Sequence, residues 1–159
     1  MHPILKSIES ELNLCSEKQK YQFSLLCISE IFGNLEDADV IEAFHTFKRL
    51  MGDFETTSPG ELRSLADSLR SFAQSHQGSK SIDGTRHAAV SATYALSKAV
   101  AGDAVEAAAY AAYSSIYGYG GYAVNDPDSF TEVHQRQLEL LAKIKPERKK
   151  VSLEKSQTL

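Results

Sequence analysis

The forty residues from Asp83 to Tyr122, DGTRHAAVSATYALSKAVAGDAVEAAAYAAYSSIYGYGGY, restrict the fold more than any other stretch of the chain. Gly102 suits the left-handed turn that follows a helix, and Asp103 with Glu106 three residues on makes an acidic capping box. The stretch therefore reads as two helices, Thr85 to Ala101 and Ala104 to Tyr117, joined by a very tight turn and lying antiparallel. At about 100° per residue, Ala88, Ala92, Ala95 and Ala99 fall on one line, and Ala104, Ala108 and Ala111 on another. Two facing methyl stripes let helix backbones approach closely. Tyr110, Tyr113 and Tyr117 form a second line on the later helix, nearly opposite its alanines, so that helix has two engaged faces.

Around this hairpin the sequence predicts five more helices. Ile4, Leu5, Ile8, Leu12 and Cys15 recur at helical spacing after Pro3. Ser16 caps a second helix whose buried line is Tyr21, Leu25, Ile28 and Phe32, stopped by Gly33 and Asn34. Val40, Ile41, Phe44, Phe47, Leu50 and Met51 place a third between about Glu36 and Met51. Ser58, Pro59 and Glu61 give the clearest helix start, with Leu62, Leu65, Leu69 and Phe72 as its inner face and a loop from Gly78 to Ser81 after it. Gly118, Tyr119, Gly120, Gly121 and Tyr122 read as a loop carrying two aromatics. Asp126 and Pro127 open a last helix with Phe130, Val133, Leu140, Leu141 and Ile144 facing inward. The expected fold is an all-α, single-domain bundle of about seven helices over residues 1–145, followed by a basic tail, 146–159.

Composition sets limits on function. With 159 residues, 42% of them hydrophobic and 24% charged, the chain fits one domain with a proper core. Lys6, Glu9 and Glu11 interrupt the first dozen residues, which speaks against a signal peptide, and Lys98, Asp103 and Glu106 interrupt the alanine run, which speaks against a membrane span. A cytoplasmic protein is expected, with Cys15 and Cys27 as buried thiols. Residues 1–144 carry 12 basic and 19 acidic side chains, net −7, whereas residues 145–159 carry 5 and 2, net +3. An acidic body argues against nucleic acid as a partner and suits a basic protein. The bland alternative is that net charge only maintains solubility.

No elbow motif, phosphate loop or HExxH pattern is present, so no catalytic residue, metal or cofactor is assigned. Glu42 and His45 form a single Glu-x-x-His pair without the second pair and the extra glutamates that a di-iron bundle requires. The candidate partner-binding residues lie at one end of the hairpin: Asp83, Arg86 and His87 lead into it, Tyr113, Tyr117, Tyr119 and Tyr122 leave it, and Asp126 and Asp128 open the last helix. Tyrosine offers rigid contact area with a hydroxyl, and arginine and aspartate offer directional pairing. Against this, tyrosines at helical spacing commonly form core edges, and Asp83 can serve as a cap. Other readings remain open. One is a small helical enzyme or ligand-binding protein with a pocket lined by Asp83, His87 and Tyr122 between hairpin and last helix; another is a homodimer paired through the tyrosine stripe.

The run TRHAAVSATYALSKAVAGDAVEAAAYAAYSSIY, followed by Gln135, Arg136, Gln137, Leu138 and Leu141, resembles the all-α immunity proteins of bacterial polymorphic-toxin systems, the fifth numbered immunity family, over residues 83–144. The resemblance implies a cytoplasmic protein that neutralises a cognate toxin by binding its toxic domain, without catalysis.

Overall fold

In the computed structural model, residues 1–75, 85–119 and 124–144 are described. The predicted loop at 78–81, Asp83, Tyr122 and the basic tail 146–159 lie outside them. The described chain is all-helical, with no strand: α1 (Pro3–Leu12), α2 (Glu17–Glu30), α3 (Ala38–Gly52), α4 (Pro59–Ser75), α5 (Thr85–Val100), α6 (Ala104–Tyr119) and α7 (Pro127–Ile144). Two 3₁₀ turns, Phe32–Asn34 and Phe54–Thr56, follow α2 and α3.

Local chemistry sets the helix ends. Ser16 Oγ accepts from Gln19 N–H at 3.2 Å while the Gln19 side chain accepts from Ser16 N–H at 2.9 Å, a complete capping box. Ser58 and Glu61 repeat it at α4, at 3.3 and 2.9 Å. The turn between α5 and α6 combines a helix stop and a helix start. Asp103 N–H donates to Lys98 O at 2.9 Å and Gly102 N–H to Ala99 O at 3.1 Å, the paired bonds of a Schellman motif, with Gly102 at φ 89°. Asp103 then caps α6, its Oδ1 accepting from Glu106 N–H at 3.1 Å. A Cβ on residue 102 would also lie 3.3 Å from the Tyr21 hydroxyl.

The α5–α6 hairpin sits at the centre. α4 covers α5, α7 and α1 cover α6, α2 crosses both, and α3 closes the side between α4 and α2. Every alanine on the two predicted lines is buried, as are Ala107 and Ala112. Larger core side chains come from the surrounding helices: Ile8, Leu12, Phe23, Ile28, Phe47 and Leu69 are fully inside. The hairpin thus supplies close approach and the outer helices supply volume.

The inward line of α2 differs from the expected one. Phe23, Ser24, Cys27 and Ile28 face inward, Tyr21 and Leu25 are half-buried, and Phe32 stands 37% exposed in the 3₁₀ turn, against the rings of Phe44 and His45. Because α2 touches α3, α5, α6 and α7, it has no single apolar stripe for spacing to reveal. α6 also runs further than expected, through Gly118 to Tyr119, so Tyr119 belongs to a helix end and not to a loop. Burial pushes the Cys27 thiol well above the usual range, which leaves it unreactive; no disulfide joins it to Cys15.

Two substitutions probe the hairpin. Ala108→Leu forces a larger side chain into the seam and should cost about 1–3 kcal/mol in urea unfolding. Gly102→Ala should cost a similar ~1–3 kcal/mol, because alanine strains at that positive φ. A neutral Ala108→Leu would mean that the helix backbones are not in close apposition there.

Candidate binding face

At 100° per residue, Tyr110 and Tyr117 share a line on α6 while Tyr113 is turned about 60° away from it. The structure shows the consequence. Tyr110 stacks on Tyr94 of α5 with ring centroids 5.3 Å apart, and Tyr117 stacks on His87 of α5 at 5.0 Å. Tyr113 instead meets Phe130 of α7 edge-on at 5.0 Å, and it remains within 6.4 Å of Tyr117. The predicted tyrosine stripe is therefore divided between α5 and α7.

The rings continue. Phe130 lies 6.2 Å from His134, and His134 lies 5.1 Å from His2 at the start of α1. His87, Tyr117, Tyr113, Phe130, His134 and His2 form one row across α5, α6, α7 and α1, at spacings within the favourable range for aromatic pairs. Exposure varies along it. Tyr113 is 42% exposed, His87, Tyr117 and Phe130 are half-buried, and His134 is 2% exposed. Asp126, Asp128 and Glu132 are exposed at the start of α7, where about 100° per residue turns Asp128 and Glu132 away from Phe130.

Buried hydrogen bonds hold this face in place. Gln137 Nε2–H donates to the Ala108 carbonyl at 2.9 Å, which turns its Oε1 toward His134 Nδ1 at 2.8 Å. The neutral imidazole must therefore carry its proton on Nδ1. Burial lowers the His134 pKa; the Gln137 bond opposes this and nearby His2 adds to it. His2 Nδ1 accepts from Ile4 N–H at 3.1 Å, capping α1, so its Nε2–H is the donor to Thr131 Oγ1 at 3.1 Å. Across the hairpin, Ser114 Oγ–H donates to Ala88 O at 2.8 Å and accepts from Asn34 Nδ2–H at 3.0 Å. These bonds tie α6 to α7, α5 and the Phe32–Asn34 turn.

Of the residues expected at a binding site, the structure brings together His87, Tyr113 and Tyr117. Asp126 is nearby but also caps α7, its Oδ1 accepting from Asp128 N–H at 3.0 Å. Asp128 is exposed in the first turn, Arg86 lies in the first turn of α5, and Tyr119 ends α6. Asp83 and Tyr122 fall outside the described residues. Phe130, His134 and His2 were missed as members of the row. Phe130, His134, Gln137, Leu141 and Ile144 share one helical line, which apolar spacing alone does not reveal because two of its members are polar. The inward residues of α7 are correspondingly His134, Gln137, Leu140 and Leu141, while Phe130, Val133 and Ile144 are half-buried.

A cavity of about 710 Å³ opens between α2, α6 and α7, lined by Ser115, Ile116, Ser129, Val133 and Arg136 among others. His87 is not in its lining, and Asp83 and Tyr122 lie outside the described residues. Arg136 bridges its rim to Glu30 at 2.8 Å. Glu42 and His45 are both exposed, and no group of three metal-ligating side chains occurs among the described residues. No described helix is long and apolar enough to cross a membrane.

Comparison with known families, with curated proteins and with solved structures finds no match to the chain.

The His134 environment has a pH signature. Its folded pKa lies below the unfolded value, so the unfolded chain takes up the proton first; stability is full above about pH 6.5 and falls as pH drops through that value. Urea midpoints at pH 7.5, 6.5 and 5.5 should fall in that order, and His134→Gln should flatten the trend. An unchanged slope in the variant would assign it to another group.

Proposed function

We propose that the chain is a binding protein that neutralises a bacterial toxin by docking its ring face on the toxic domain, acting in the cytoplasm and without chemistry of its own. The observation that carries this reading is the row of rings around Tyr113, which is itself 42% exposed. Rigid aromatics with a polar handle are the side chains that concentrate binding energy at protein interfaces. The net −7 charge of residues 1–144 suits a basic partner, such as a nuclease domain, and would speed encounter with it. The resemblance of residues 83–144 to toxin-immunity proteins gives the partner its class.

A buried hydrogen-bonded layer supports the reading in energetic terms. Ser114, Asn34, Gln137 and His134 tie α6 to its neighbours, so little ordering of these helices remains to be done on association.

The test begins with the toxin gene expected beside this one. The toxic domain should co-purify with the wild-type protein, and the gene should protect cells that express the toxin. Tyr113→Ala and Tyr117→Ala should each weaken binding at least tenfold, about 1.4 kcal/mol. Tight binding that neither change affects would move the interface elsewhere, and absence of both binding and protection would overturn the reading. A dimer that Tyr113→Asp dissociates would show instead that this face pairs with a second copy.

A further inference from the structure

A second concavity lies away from the ring face. α4 contributes Pro59, Leu62, Arg63, Ala66, Arg70 and Ala73 to it, residues that recur at helical spacing and so form one continuous wall. α5 contributes Tyr94, Ser97 and Lys98, and Tyr21 with Phe54 closes one side. This open groove has a volume of about 630 Å³, within the range typical of small-molecule sites.

Its charge is unlike that of the rest of the protein. Residues 1–144 are net −7, yet Arg63, Arg70 and Lys98 line this groove against only Glu17 and Asp67. Asp67 is already engaged by Arg70. Arg63 and Lys98 have no ion-pair partner among the described residues, although carboxylates are in surplus throughout the body. With Arg70 and Asp67 paired, Arg63 and Lys98 outnumber Glu17 in the lining, and this local positive excess raises the concentration of anions there. A guanidinium fork and a lysine point charge together match a phosphate group, which carries about −1.5 to −2 charge at neutral pH.

The remaining lining accounts for the rest of a ligand. Tyr94 is held by its stack on Tyr110, and Leu62, Ala66, Ala73, Val100 and Ala101 provide an apolar floor. We propose that the α4–α5 groove is a binding site for a small organic phosphate monoester, with the phosphate held by Arg63 and Lys98 and an aromatic or other apolar body lying along Tyr94 and the floor. The site is independent of the toxin-binding reading, and its test involves no protein partner.

Phenyl phosphate serves as the probe for titration calorimetry on the full chain, with amide chemical shifts locating the site. It should bind at least tenfold more tightly than inorganic phosphate, phenol or benzoate, which lack the ring, the charge or the phosphate geometry respectively. Shifts should cluster on residues 59–74 and 94–101. The double variant Arg63→Gln with Lys98→Gln, whose fold is checked by circular dichroism, should bind at least tenfold more weakly, whereas Lys143→Gln should bind as wild type. Equal binding of all four probes, full binding by the double variant, or shifts centred outside the groove would each overturn the proposal.

Discussion

The near-contact of two helix backbones along the alanine seam is the constraint on which the rest of this structure depends. Because α5 and α6 bury a run of alanines between them, they lie close, and Leu96, Val100 and Ile116 are the large side chains they add to the core. The surrounding helices must supply the remaining volume, which is why Ile8, Phe23, Phe47 and Leu69 come from α1, α2, α3 and α4. A larger side chain in the seam would separate the hairpin and misplace every helix leaning on it.

The same small side chains leave helix carbonyls within reach of neighbours. Ser114 finds Ala88 O and Gln137 finds Ala108 O, each a polar side chain bonding to backbone that an alanine does not cover. Such bonds are individually worth only about 1 kcal/mol net, but breaking one leaves a buried polar group unsatisfied. They therefore act mainly on geometry. They set the rotation of α6 against α5 and of α7 against α6, and the positions of Tyr113, Tyr117 and Phe130 follow from those rotations.

Charge is distributed with comparable separation. The exposed start of α7 is acidic, whereas the groove between α4 and α5 sets Arg63, Arg70 and Lys98 against Glu17 and Asp67 over an apolar floor. The two surfaces share α5, one using His87 near its start and the other Tyr94, Ser97 and Lys98 toward its end. Such opposite environments on one small bundle suit two different kinds of partner.

Local signals in the sequence determined the helices and their ends: the cap at Ser16, the capping box at Ser58, the glycine turn at Gly102 and the alanine lines are all legible because each depends on residues within a few positions of one another. The all-α class followed from them. Tertiary structure alone decided the inward face of α2, since a helix touched on several sides carries no single stripe. It also decided the composition of the ring row, because His2 and His134 meet only when α1 packs on α7. The division of the tyrosines between Tyr94, His87 and Phe130 was likewise hidden: helical spacing gives the angle between side chains on one helix, and only packing says which neighbour lies in that direction. The cation groove was invisible for the same reason, as Arg63 and Lys98 are 35 positions apart in sequence and share a cavity only because α4 packs against α5.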